Sequence, residues 1–262
     1  MRVLAAQIDP VELAPEDNLA RAVEILGRAA DAGADLVVLP ETWTTGYDLP
    51  AARRLVDRSE AVLKLLADAA RSAGVAVVGS MVLPTPSGAA NAAVMIDAEG
   101  HVALRYAKSH LIDLYGEKSI FEPGRATPTV EMAGTRLGVA ICYDLRFPEL
   151  FRAYVDEGAE VLIVVAEWPA VRVAHWELLL RARAVENQAW VVGVNRVGSD
   201  RSLTYAGRSQ VIGPTGNVVA AAASDVETEL VVDLDLDEVR QLRARFPVLA
   251  DRWLGVGEGL KA

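Results

Sequence analysis

Two hydrophobic periods alternate along this chain. Short, nearly continuous apolar runs predict buried strands over Arg2 to Ile8, Leu36 to Leu39, Val75 to Ser80, Val161 to Val165 and Trp190 to Val194. Between them apolar residues recur three and four apart, the period of an amphipathic helix. Leu19, Ala22, Val23, Leu26, Ala29 and Ala30 predict one such helix, closed by Gly33, and Ala51 to Ser72 a second. Further helices are expected over Glu149 to Val155, Val173 to Gln188 and Leu236 to Arg245. Two hairpins interrupt the alternation. Asn91 to Ile96 and Val102 to Tyr106 flank Asp97-Ala98-Glu99-Gly100, while Ser209 to Ile212 and Asn217 to Ala222 flank Gly213-Pro214-Thr215-Gly216. Thr228 to Leu236 is expected to close a sheet.

Strands alternate with helices in both halves, and no low-complexity linker divides them. This predicts an α/β chain, one domain over residues 1–262. Hydrophobic residues make up 52% of the chain, which excludes a disordered or collagen-like protein. The net charge of −10, with no Lys/Arg cluster in the sequence, disfavours nucleic acid or an anionic membrane as partner. Apolar runs such as Val161 to Ala166 are far short of a membrane span, and Gln7 and Asp9 break up any N-terminal signal peptide. The single cysteine cannot form an internal disulfide, which fits a reducing, cytoplasmic setting.

That cysteine carries the sharpest chemical signal. Gly138-Val139-Ala140-Ile141 runs as a strand into Cys142, and helical spacing resumes at Pro148. Cys142 is therefore expected at a strand-to-helix elbow, where free backbone N–H groups lower a thiol's pKa and bind an oxyanion. A lone cysteine after such a run also reads as a small buried hydrophobe. Glu41 follows the strand Leu36 to Leu39, at the sheet edge where ligands collect in α/β proteins; the alternative is a solvated loop acid. Lys108 ends the alternation of Val102 to Tyr106, and locally reads as an exposed strand-end lysine.

In order along the chain, Val3-Leu4-Ala5-Ala6-Gln7, Leu39-Pro40-Glu41, Tyr106-Ala107-Lys108-Ser109-His110-Leu111 and Cys142-Tyr143-Asp144-Leu145-Arg146-Phe147-Pro148 resemble the carbon–nitrogen hydrolase (nitrilase) superfamily. His175-Trp176, Arg181 to Gln188 and Phe246 to Arg252 extend the resemblance over nearly the whole chain. It implies a four-layer α-β-β-α sandwich and a Glu-Lys-Cys triad of Glu41, Lys108 and Cys142 that hydrolyses a linear carboxamide through a thioester. Glu41 is then the general base, and Lys108 with the backbone N–H of Tyr143 stabilises the oxyanion. A second glutamate, Glu117, is expected to position Lys108 and the substrate amide, against the alternative of an exposed loop acid. No cofactor and no metal is expected: the triad consists of side chains, and the three histidines include no ligand-spaced pair.

His110 and His175 invite a papain-like Cys–His reading, which the residues around Cys142 do not support; His175 is expected to pack or cap a helix. Asp144 and Arg146 are expected to pair with each other or with the elbow backbone, and Arg181, Arg183 and Glu186 to form an ion-pair face or subunit contact. Glu167-Trp168-Pro169-Ala170-Val171-Arg172 and the runs after it look like the bacterial ω-amidase branch, which deamidates short dicarboxylate monoamides such as 2-oxoglutaramate. Arg172 is then the expected clamp for the substrate carboxylate, against the alternative of a surface arginine. Tyr47, Phe121 and Trp168 are expected to wall the pocket. The other readings are a different amidase, acting on an N-carbamoyl or deaminated-glutathione-like amide, and a non-catalytic binding protein. The resemblance also implies a homodimer, to which the helices around Phe151 to Val155 and Trp176 to Ala184 contribute.

Overall fold

Each half of the chain lays down parallel strands joined by helices. The computed structural model describes residues 1–252. The first half comprises β1 (Arg2–Gln7), α1 (Pro15–Asp31), β2 (Leu36–Val38), α2 (Leu49–Arg54), α3 (Ser59–Ala73), β3 (Ala76–Pro84), β4 (Ala89–Ile96) and β5 (Val102–Ala107). The second comprises β6 (Thr129–Met132), β7 (Thr135–Ile141), α4 (Pro148–Asp156), β8 (Val161–Ala166), α5 (Val173–Asn187) and β9 (Trp190–Asn195). After β9 come β10 (Val197–Ser199), β11 (Thr204–Ala206), β12 (Gln210–Ile212), β13 (Val218–Ala221), β14 (Thr228–Asp233) and α6 (Leu236–Arg245).

One six-stranded sheet has the order β14-β1-β2-β3-β4-β5 and the other β13-β12-β9-β8-β7-β6. β1, β2 and β3 are parallel, as are β7, β8 and β9. Alternate side chains of the first sheet enter different cores. Val3, Ala5, Leu36, Val38, Ala76 and Val78 pack toward Leu137, Val139 and Ile141 of the second sheet. Leu4, Ala6, Val37 and Val77 pack instead with Leu19, Ile25, Leu26, Val62 and Leu66 of α1 and α3. Both faces are buried, which is why these strands read as unbroken apolar runs. On the outer face of the second sheet, the Tyr154 hydroxyl of α4 donates to the Val139 carbonyl at 2.6 Å. Its ring lies where a Cβ on Gly138 would come within 2.5 Å, so only glycine fits there. The result is the four-layer α-β-β-α sandwich expected from the sequence.

The expected helix over Ala51 to Ser72 is two helices, α2 and α3, separated by a 3₁₀ turn at Val56–Arg58. The apolar residues of the two belong to different cores: Leu49 and Ala52 pack with Val82, Leu111 and Phe121, whereas Val62, Leu63 and Leu66 pack beneath the first sheet. One straight helix cannot point into both. At the junction the Ser59 hydroxyl donates to the Val82 carbonyl at 2.6 Å. Phe151, Tyr154, Trp176 and Leu180, the apolar residues expected to serve a subunit contact, are fully buried within the chain. Among the described residues no helix is long and apolar enough to cross a membrane.

Candidate active site

β7 ends at Ile141, and Cys142 turns the chain with φ +47° into a 3₁₀ turn over Cys142–Arg146. A non-glycine residue in that region is strained, and the surroundings must hold it. The buried Asp144 carboxylate does so. It accepts from the Ile141 N–H at 3.0 Å on one side of the elbow. On the other side it accepts from the Tyr106 hydroxyl at 2.8 Å, the His110 N–H at 3.0 Å and His110 Nδ1 at 2.8 Å. Asp144 thereby ties the cysteine elbow to the residues flanking Lys108.

Asp144 does pair with elbow backbone, but the alternative of an Asp144–Arg146 pair is not what forms. The Arg146 guanidinium lies over the Trp168 ring at 4.7 Å and the Tyr143 ring at 6.0 Å, since Asp144 points inward and Arg146 into the pocket. His175 neither packs nor caps: it is exposed on the first turn of α5, which has no side-chain cap, with Nδ1 3.4 Å from Arg146. His110 commits its Nδ1 to Asp144 and stacks on Phe147 with ring centroids 3.7 Å apart. Arg183 bridges to Glu186 at 2.8 Å, whereas Arg181 donates to the Gly216 carbonyl at 3.2 Å.

Glu41 stands beyond the carboxyl end of β2, and Lys108 just beyond β5. Lys108 Nζ donates to Glu41 Oε1 at 2.8 Å and to Glu117 Oε1 at 2.7 Å, and all three side chains are completely buried. Glu41 Oε1 also accepts from Asn91 Nδ2 at 2.8 Å, and its Oε2 from the Glu167 N–H at 2.8 Å. The second oxygen of Glu117 accepts from the Ile112 N–H at 2.8 Å. Burial alone would depress the Lys108 ammonium, but the charges of Glu117 and Glu41 offset it and hold the group well above its usual value. The thiol behaves otherwise than its elbow position predicts. Burial pushes Cys142 well up and Glu41 adds to this, with Lys108 pulling the other way, so the resting group is a neutral thiol rather than a thiolate.

Cys142 and Tyr143 line a cavity of about 960 Å³. Tyr47, Phe121, Trp168 and Arg172 all line it, while Glu41, Lys108 and Glu117 stand behind its wall. Burial, with Glu117 and Glu41 close by, holds the Tyr47 phenol well above its ordinary value. Arg172 Nη1 donates to the Tyr115 hydroxyl at 2.6 Å, and Trp168 Nε1 to the Arg172 carbonyl at 2.8 Å. Lys118, Arg125 and Arg146 share the lining with Arg172. Among the described residues none of these four cations is within salt-bridge distance of a carboxylate, and the facing acids are Asp113 and the buried Glu167. Folding thus assembles a cationic cluster from residues scattered along the sequence.

A family model for carbon–nitrogen hydrolases matches residues 2–244. The chain belongs to the carbon–nitrogen hydrolase family. The 2-oxoglutaramate amidase of Bacillus subtilis is 37% identical to it over 239 residues, spanning 90% of this chain and 92% of its own. Omega-amidase YafV of Escherichia coli is 38% identical over 220 residues, 84% of each chain. A solved amidase of Nesterenkonia, with acrylamide added at its active-site cysteine, superposes with a TM-score of 0.85 at 31% identity over 97% of this chain and 100% of that one.

In this carbon–nitrogen hydrolase three residues at the site went unassigned in the sequence. Asn91 holds Glu41 from the middle of β4, a polar residue in a strand whose every position is buried. Glu167 follows β8 as Glu41 follows β2, and its carboxyl group is fully buried. Arg196 follows β9 and reaches Glu167 at 2.9 Å, Asp9 at 2.6 Å and Glu12 at 3.0 Å. For Glu167 and Arg196 the available signal was positional: a charged residue directly after a buried strand.

Proposed function

We propose that this carbon–nitrogen hydrolase deamidates a small linear amide that carries a carboxylate a few carbons away, as 2-oxoglutaramate and succinamate do. The observation that carries the reading is one cavity with a thiol on its floor, a buried Glu41–Lys108–Glu117 chain behind the thiol, and unpaired cations around it. Because the thiol is neutral at rest, Glu41 takes its proton as Sγ attacks the amide carbon. The carbonyl oxygen becomes an oxyanion. Lys108 has three N–H bonds and donates two to Glu41 and Glu117, so the third serves the oxyanion together with the Tyr143 N–H. Glu117, pinned by the Ile112 N–H, keeps the ammonium aimed. Collapse breaks the C–N bond as Glu41 returns the proton to the departing nitrogen, releasing ammonia and leaving a thioester. Water then attacks the thioester while Glu41 takes its proton and passes it to the leaving sulfur, freeing the acid.

The relatives named for 2-oxoglutaramate and omega-amides support the substrate class. So does the charge of the cavity, because a buried carboxylate requires a partner and Lys108 is already engaged. Arg172, half-buried and anchored on Tyr115, is the residue we assign to it, with Tyr47, Phe121 and Trp168 packing against the carbon chain. The test is ammonia release from 2-oxoglutaramate, succinamate and the neutral butyramide by wild type and Cys142→Ala. The acids should lead in kcat/KM by about a hundredfold, and Cys142→Ala should lose more than a hundredfold with its fold intact. Equal turnover of neutral and anionic amides refutes the substrate class, and an active Cys142→Ala refutes the thioester.

We propose further that the enzyme works as a cytoplasmic homodimer joined through the outer face of α5. Val171, Leu178 and Val185 are 80%, 67% and 53% exposed. They recur every seven residues, so they form one apolar stripe along and just ahead of this helix, suited to a two-fold contact. The unpaired thiol fits a reducing compartment.

A further inference from the structure

Glu167 has no part in the mechanism above, yet it grips the base from two directions. Its backbone N–H donates to Glu41 Oε2 at 2.8 Å. Its carboxyl oxygen Oε1 accepts from the hydroxyl of Thr42, the residue after Glu41, at 2.7 Å. Thr42 sits at φ +38°, a strained conformation for a β-branched residue that needs such a tether. The other oxygen, Oε2, accepts from Arg196 Nη1 at 2.9 Å. Arg196 is itself buried over the Tyr205 ring at 4.6 Å and divides its charge among Glu167, Asp9 and Glu12.

Resting on the assignment of Glu41 as base, we propose that Glu167 is a positioning residue for Glu41, and that its ionisation strengthens proton transfer from Cys142 to Glu41. The groups that face Glu167 are Glu41, Thr42 and Arg196, with Asp9, Glu12 and Tyr205 behind Arg196 and Lys108 beyond Glu41. Burial lifts the Glu167 carboxyl to about 8 against the pull of Arg196, with the nearby Glu41 charge adding to the rise. The protonated and ionised forms therefore exchange near that point, and in the ionised form both oxygens accept, from Thr42 and Arg196. The charge it gains above that point acts on Glu41, one residue from Thr42, and stabilises the state in which Glu41 has accepted the thiol proton. Activity rises with that ionisation.

The test is the pH dependence of kcat and KM between pH 6 and 9.5, using whichever amide of the panel above wild type turns over fastest. Wild type shows an upward inflection in kcat near pH 8. Glu167→Gln keeps the shape of the group without the charge and loses that inflection. Thr42→Val removes a hydroxyl that favours the ionised carboxylate, so the inflection moves to higher pH and kcat falls about tenfold with KM nearly unchanged. A Glu167→Gln profile that overlays wild type, or a Thr42→Val enzyme with unaltered kcat and inflection, overturns the proposal. If Glu167→Gln does not fold, Thr42→Val decides alone. Glu41→Gln serves as reference. Should it retain more than about a tenth of wild-type kcat, the assignment of the base is wrong; should it be inactive while Glu167→Gln overlays wild type, only the role of Glu167 falls.

Discussion

Asp144→Ala is the most searching perturbation of the cysteine elbow. The native carboxylate accepts from Ile141 N–H, Tyr106 hydroxyl, His110 N–H and His110 Nδ1. His110 is 33% exposed and regains water when the carboxylate is lost. Ile141 N–H and the Tyr106 hydroxyl are buried and do not. A buried donor left without a partner costs about 1–3 kcal/mol, so the two together cost about 4 kcal/mol of stability. The second effect is on catalysis. The left-handed turn at Cys142 stores about 1–3 kcal/mol, which relaxes once its tether is gone and moves Sγ relative to Lys108. We expect urea unfolding to shift by about 4 kcal/mol, and kcat/KM for the best amide to fall by at least a hundredfold per folded molecule. Asp144→Asn keeps one accepting oxygen and should cost about half as much stability. A loss below about 1 kcal/mol would refute the hydrogen-bond account. A full loss of stability with unchanged kcat/KM in the remaining folded enzyme would show that the elbow is set by other contacts.

Arg172→Ala should lower kcat/KM for the anionic amide about a hundredfold, some ~3 kcal/mol, and leave a neutral amide nearly unaffected; equal losses on both would make Arg172 structural. Leu178→Glu places a charge in the apolar stripe of α5 and should convert a dimeric mass by light scattering into a monomeric one; an unchanged mass would move the interface elsewhere. The Glu167 carboxyl holds its proton to about 8 in the fold, against 4.5 for the free group, so across that window the folded chain binds a proton the unfolded chain has lost. Stability should therefore fall as pH rises through it, and fall less in Glu167→Gln; parallel unfolding midpoints at pH 5, 6.5 and 8 would contradict this.

Much of the arrangement was legible because its signals are local. The strand before Cys142, the Pro-Glu after Leu36 to Leu39 and the broken alternation at Lys108 each lie within a few residues. What stayed hidden depends on partners distant in sequence. Asp144 could be expected near the elbow, but its ties to Tyr106 and His110 exist only because the two sheets pack face to face. Asn91 and Glu167 converge on Glu41, and Arg196 on Glu167, from three strands of two sheets, and no window of the sequence contains them together. The thiol's direction of shift was misread for the same reason. An elbow is a local feature, but the burial that overrides it belongs to the whole sandwich. The break between α2 and α3 escaped because periodicity reports that a face is apolar and not which core receives it.

The position of β14 bears on how the protein is made. β1 lies between β2 and β14, and Met1 and Leu234 exchange hydrogen bonds beside that pairing. β1 leaves the ribosome well before residues 228–233, so its outer edge stays uncovered until they follow. Until then Val3 to Gln7 offer a row of unpaired backbone groups to any neighbouring chain. A chain stopped short of Thr228 should accumulate as aggregate rather than as a smaller enzyme, and closure of this sheet by β14, more than emergence of the thiol, sets when a new molecule becomes active.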